Sequence, residues 1–245
     1  LLNSTVETGA DADVVRSRSD VIGSRFALGS GHDTVAMSGT VSATLIEGKA
    51  DADSLVFNEA IIASTILGND RAETSGDGND TIVARRGVSG SSVQGSKGSD
   101  VISICRGLSN SSVGGGEDSD TITVLGAVTG SLINGGSGAD TIDLRDAVTA
   151  STVQGDEGDD AYGSLFSRGQ RGGELVGGGA ARGSGSLVSV GKVAVGGRVF
   201  VAFDSDVLGQ PVHEIVRIGV DQLVDLLQLV QLAVHVQERH QAVAH

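Results

Sequence analysis

Short apolar runs alternate with polar bends along most of the chain, and the alternation returns every 20 residues. Three stretches lie in phase as SSVQGSKGSDVISI (91–104), SSVGGGEDSDTITV (111–124) and SLINGGSGADTIDL (131–144). With the aspartate as position zero, each unit reads D-[TVS]-[IVL]-x-[LVIFM], an aliphatic at +8, Ser or Thr at +11 and an apolar residue at +13, often with glycine at +15 and +18. Apolar positions two residues apart predict half-buried strands. Each unit is therefore expected to hold two short strands and two bends, one marked by the +15 and +18 glycines and one around +5 to +7 without a fixed glycine.

A unit that repeats its chemistry this closely predicts one turn of a solenoid, stacked on its neighbours because none buries its apolar face alone. The expected fold is all-β, a right-handed parallel β-solenoid of the β-roll or β-helix kind, with about eight coils over residues 1–162. Stacking sets equivalent residues about 4.8 Å apart, so each position becomes a ladder. Columns +2, +4, +8 and +13 form a narrow core, in keeping with an aromatic content of only 2%. The +11 hydroxyls, from Ser4 to Ser151, are placed to hydrogen-bond along the axis, which relieves the cost of burying them.

The position-zero column is the uncomfortable one. Asp13, Asp33, Asp53 and Glu73 follow at intervals of 20 residues, then the frame slips by seven and continues with Asp80, Asp100, Asp120, Asp140 and Asp160. The slip predicts a bulge or a division into two stacked blocks. Carboxylates about 5 Å apart repel by roughly 1 kcal/mol in water and by several times more where solvent is excluded. Residues 1–162 hold 24 of the 31 acidic and 10 of the 17 basic side chains, a net of −14 that is the whole formal charge of the chain. Lysine and arginine cannot neutralise the column. Hard divalent cations with oxygen ligands can, and flexible carboxylate and carbonyl loops suit Ca²⁺ better than Mg²⁺.

At this point a family resemblance enters. Gly135-Gly136-Ser137-Gly138-Ala139-Asp140-Thr141-Ile142-Asp143 matches G-G-x-G-x-D-x-U-x, the nonapeptide of the RTX, or haemolysin-type, calcium-binding repeats. The stretches beginning at Ser75, Gly95 and Gly155 match with one glycine replaced. The resemblance implies Ca²⁺ shared between successive loops on one edge. Its ligands would be Asp80, Asp100, Asp120, Asp140 and Asp160, with the loop backbone at Gly76, Gly78, Gly95, Gly98, Gly115, Gly135, Gly138, Gly155 and Gly158. Asp13, Asp33 and Asp53 are weaker candidates, because Thr8, Asp11, Leu28, Asp51 and Arg71 stand where glycine would. RTX rolls place two nonapeptides in each turn, whereas here one loop per coil carries the signature, so a single metal-lined edge is expected. A turn whose aspartate merely caps backbone amides is the plain alternative for any one copy.

Other chemistries find less support. His32 is the only histidine in the repeat, and the carboxylates all recur with it, so an acid/base pair has no separate signal. Arg85, Arg86 and Arg106 do not compose the basic groove that a polysaccharide-acting β-helix enzyme would need. Thr34, Thr81, Thr121 and Thr141 resemble an ice-binding array, but Val14, Ser54 and Val101 interrupt it. The expectation is a non-enzymatic module with calcium ions and a cell-surface or matrix component as partners, no nucleic acid and no membrane span. A metal-independent adhesin or scaffold stalk is the alternative, and a polysaccharide-acting enzyme fragment is the third reading. The lone Cys105 excludes an internal disulfide framework, and modest calcium loops fill only at extracellular Ca²⁺ levels, so an extracellular or cell-surface setting is expected. Leu1 is already in phase and no leader precedes it, which predicts a piece of a longer protein.

Residues 163–245 carry seven side chains of each sign and lack the repeat. Residues 163–186 read as a Gly-rich linker. The remainder, 187–245, reads as a β-hairpin around Gly196-Gly197 followed by one amphipathic helix beyond Pro211, too polar for a membrane span. That segment is either a cap on the solenoid or the product of a reading-frame error near residue 163.

Overall fold

A computed structural model describes residues 1–69 and 78–163, together with the strands Glu174–Val176, Val193–Val195, Arg198–Phe200 and Arg217–Gly219. The first of two compact units, Leu1–Ser189, contains a parallel β-solenoid of about eight turns, as the repeat predicts. Each coil has three strands where the sequence suggests two. A four-residue strand follows the aspartate, as in Thr121–Val124; a two-residue strand follows at +8, as in Val128–Thr129; and a longer strand carries +12 to +17, as in Leu132–Ser137. Stacking gives sheets of eight, seven and nine strands, every pair parallel.

The core lies inside this three-walled tube. Alternation of in-pointing and out-pointing side chains buries +2, +4, +8 and +13, as Ile122, Val124, Val128 and Ile133 show with exposures of 0%. Two aromatic rings fit after all: Phe26 is 1% exposed and Phe57 is fully buried. Phe57 pairs with Ala84 of the next coil, so a small side chain makes room for the large one. The +11 hydroxyls behave as expected. Ser131, for example, donates its hydroxyl to the Thr129 carbonyl at 2.9 Å and accepts the Ser111 N–H at 3.2 Å.

The third strand requires a further corner, at +10, between the two-residue strand and the long one. Here Asn3, Gly23, Ala43, Ala63, Gly90, Asn110, Gly130 and Ala150 all take left-handed φ between 45° and 61°. Glycine and asparagine tolerate that conformation, whereas alanine is strained in it.

The seven-residue slip neither bulges the sheets nor divides the solenoid. Thr65–Leu67 pairs with Ser92–Gln94, and Ser54–Phe57 with Thr81–Ala84, so the strands on either side of the slip stack directly. The extra residues fall between Leu67 and Thr81 in the sequence. Asp80, not Glu73, follows Asp53 in the column, and Glu73 itself lies outside the described residues. A further correction concerns the Gly-rich segment, where Glu174–Val176 adds a ninth strand beside Thr152–Glu157.

In the second unit, Val190–His245, Val193–Val195 pairs antiparallel with Arg198–Phe200 across Gly196-Gly197, and Arg217–Gly219 adds a third strand. That third strand occupies part of the stretch read from sequence as a helix. The rest of the stretch lies outside the described residues, and among the described residues there is no α-helix.

The +10 corner can be tested by exchange. Ala43→Gly, Ala63→Gly and Ala150→Gly each remove a left-handed alanine and should raise stability by roughly 0.5–1 kcal/mol, after allowing for the entropy of glycine. Gly90→Ala should lower it by a similar amount, because the nearest atom to an added Cβ is Ala63 N at 4.0 Å and only the φ of +58° opposes the change. Urea denaturation of the four variants reads both signs, and a loss of stability in the three glycine variants would refute the strain.

Candidate metal centre

The aspartate column turns inward. Asp33, Asp53, Asp80, Asp100, Asp120 and Asp140 are between 1% and 3% exposed, a burial that the repeat pattern alone does not specify. One oxygen of each carboxyl is spoken for. Oδ1 accepts the backbone N–H of the aspartate one coil earlier, from Asp13 N–H to Asp33 at 2.7 Å through to Asp140 N–H to Asp160 at 3.1 Å. The column crosses the slip in the same way, with Asp53 N–H donating to Asp80 Oδ1 at 2.7 Å. The other oxygen, Oδ2, is buried without a hydrogen-bond partner in Asp13, Asp33, Asp53, Asp80, Asp100, Asp120, Asp140 and Asp160.

Glycine explains how the carboxyl fits. A Cβ on Gly115 would lie 2.2 Å from Asp120 Oδ2 and 2.5 Å from the Gly135 carbonyl of the next coil. Gly95 and Gly135 stand in the same relation to Asp100 and Asp140, and Gly155 to Asp160. These glycines keep open a notch into which a carboxylate oxygen and a loop carbonyl both turn. Gly98, Gly138 and Gly158 do something else. Their absent side chains would strike the backbone of the preceding coil, so they serve close stacking and not the carboxylates. Gly78 likewise sits against the Asp51 carbonyl, and Gly76 lies outside the described residues. Sequence reasoning missed Gly48 and Gly68, which form the same notches against Asp53 and Asp80. Their signal was the +15 position itself, obscured at Gly68 by the slip.

The electrostatics follow from burial. Desolvation pushes Asp53 and Asp100 up to about 8, Asp80 and Asp120 to about 7 and Asp140 to about 6. Asp33 and Asp160 are raised as well, again chiefly by burial. The N–H bond to each Oδ1 opposes the rise, and neighbouring carboxylates add to it at Asp53, where Asp80, Asp33 and Asp51 all contribute. A column of this kind is tolerable when protonated or when a cation sits against it, and expensive otherwise.

Two features fit a hard cation. Unpartnered buried carboxylate oxygens recur in every coil, and glycine notches bring loop carbonyls beside them, an all-oxygen donor set. Among the described residues no three His, Cys, Asp or Glu side chains gather on one point. Any site here would therefore draw its remaining ligands from backbone carbonyls.

Fold and site together define a class: a three-sheet parallel β-solenoid threaded by a file of buried aspartates. No family model matches the chain, and no curated protein or solved structure matches it either.

Two consequences are measurable in metal-free protein. Each raised carboxyl binds its proton more tightly folded than unfolded, where the ordinary value is 3.8. Its contribution to stability is then fully present below about pH 3.8 and is lost as pH rises toward about 8. The melting temperature in excess chelator should fall steadily from pH 4 to pH 8, and Asp100→Asn with Asp120→Asn, which are neutral and keep the accepting oxygen, should flatten the profile. A melting temperature that rises over this range would contradict a protonated file. Gly115→Ala should cost about 1–3 kcal/mol in urea denaturation, because the methyl group has to displace either the Asp120 carboxyl or backbone; an unchanged midpoint would remove the notch from the account.

Proposed function

We propose that residues 1–162 are a calcium-binding structural repeat module of a secreted or cell-surface protein, in which folding is coupled to neutralisation of the aspartate file. The observation that carries this reading is the row of eight buried Oδ2 atoms without partners. The resemblance of the loops to RTX nonapeptides supports the choice of Ca²⁺, and so does the oxygen-only donor set.

In this mechanism the chain's own parts have distinct tasks. The three sheets set the coil spacing at about 4.8 Å and hold successive carboxyls in register. The N–H of each aspartate fixes Oδ1 of the next, which orients Oδ2 toward the glycine notch. The +15 glycines admit the loop carbonyls. Asp53, Asp80, Asp100, Asp120, Asp140 and Asp160, with the neighbouring glycine carbonyls, would hold the ions, and bound Ca²⁺ would supply the positive charge that the column lacks. Binding to the folded state alone adds stability by mass action, about 2.7 kcal/mol for each site at a hundredfold excess over its dissociation constant. The extracellular setting follows from the calcium concentration such loops need.

A metal-independent stalk is the second reading, and the Oδ1 bonds favour it because they join every pair of coils without an ion. Circular dichroism at pH 8 separates the two. The calcium module predicts that excess EGTA abolishes or strongly lowers the cooperative β-sheet melt and that added CaCl₂ restores it. A melt unchanged in a verified metal-free sample would leave the stalk standing and the calcium module refuted.

A further inference from the structure

Resting on the calcium reading, we propose that the ion-binding part of the file begins at Asp53 and ends at Asp160, and that Leu28 closes it on the amino-terminal side. The glycine motif alone starts the strong sites at Asp80 and leaves Asp13, Asp33 and Asp53 as one weaker group. The structure divides that group.

At Asp53 the notch is complete. A Cβ on Gly48 would lie 2.3 Å from Asp53 Oδ2 and 2.2 Å from the Gly68 carbonyl. The same pair of oxygens surrounds Gly68 (2.1 Å to Asp80 Oδ2 and 2.5 Å to the Gly95 carbonyl) and Gly95 (2.1 Å to Asp100 Oδ2 and 2.6 Å to the Gly115 carbonyl). Asp53 Oδ2 is unpartnered and its residue is 3% exposed, as in the later coils. The seven extra residues do not disturb this, since Asp53 and Asp80 remain directly bonded.

One coil earlier the notch is gone. The residue five before Asp33 is Leu28, fully buried and part of the hydrophobic core, so a side chain occupies the place that glycine keeps open. Its carbonyl, which corresponds to the glycine carbonyls of later coils, accepts the Thr8 hydroxyl. Thr8 itself stands five before Asp13, so that coil also has a side chain at the notch. Asp33 Oδ1 keeps the ladder bond from Asp13 N–H, Asp13 joins the ladder through its N–H alone, and neither has a glycine at the notch. At the far end the notch changes once more. A Cβ on Gly155 would meet Asp160 Oδ2 at 2.0 Å and the Tyr162 hydroxyl at 2.7 Å.

Calcium stoichiometry tests the boundary. The full chain and its Asp33→Asn, Asp53→Asn and Asp120→Asn variants are titrated with CaCl₂ by calorimetry, with the calcium-induced rise in melting temperature as a second readout. Asparagine keeps the size of aspartate and its accepting oxygen, so the ladder bond survives in all three. Asp53→Asn and Asp120→Asn should each lose bound calcium and show a smaller thermal shift, while Asp33→Asn retains the wild-type ratio and shift. If Asp120→Asn loses calcium and Asp53→Asn does not, the file begins later and the boundary is wrong, with the calcium reading intact. If Asp33→Asn loses calcium as well, Leu28 closes nothing and the boundary is again overturned. A wild-type chain that binds no calcium would overturn the calcium reading, and the boundary with it.

Discussion

The constraint on which the rest depends is the burial of one carboxyl per coil in a space that water does not reach. An isolated ionised carboxylate is several kcal/mol too costly for such a place. The structure meets half the demand with a backbone N–H for each Oδ1 from Asp33 to Asp160 and leaves the other half to a proton or a cation. Much of the local sequence follows from this. Glycine precedes the aspartate by five residues because a side chain there would collide with Oδ2, and the loop places its carbonyls on that side of the coil. The hydroxyl ladder solves the same problem with a neutral group. A serine both donates and accepts, so it needs nothing from outside. The two columns run side by side through the same coils, one self-sufficient and one dependent on its surroundings.

The aliphatic walls make that dependence matter. Columns +2, +4, +8 and +13 join coil to coil as one continuous core, and the aspartates sit at its rim. Because each coil contacts chiefly its neighbours, the stability of a solenoid is close to a sum of unit and interface terms. An electrostatic cost repeated in every coil is then multiplied along the axis, and so is any relief from it.

Much of the fold was legible because a strict period writes its own alignment. The +8, +11 and +13 columns were read residue by residue and stand where the repeat put them. The third strand was not legible, because it is two residues long and offers a single buried aliphatic such as Val128. Its corner was hidden too, since Gly, Asn and Ala share the left-handed position and no one residue type marks it. Glu73 misled by arithmetic: it sits 20 residues after Asp53, but pairing between strands decides the column, and the strands chose Asp80. The inward turn of the aspartates lay beyond the sequence for a different reason. GxxGxD describes a tight turn equally well whether its carboxyl faces solvent or the axis, and only the stacked coils show which.

The seven-residue slip in the repeat also bears on how such a chain can change. Sheets on both sides of it keep their register, so lengthening at that point alters no column, and removal of a whole coil such as residues 81–100 would join equivalent atoms to equivalent atoms. A gene encoding this protein can therefore gain or lose segments of 60 bases within the repeat and still specify a continuous tube. Length in this molecule behaves as a count of interchangeable units, open to adjustment by duplication without redesign of the parts.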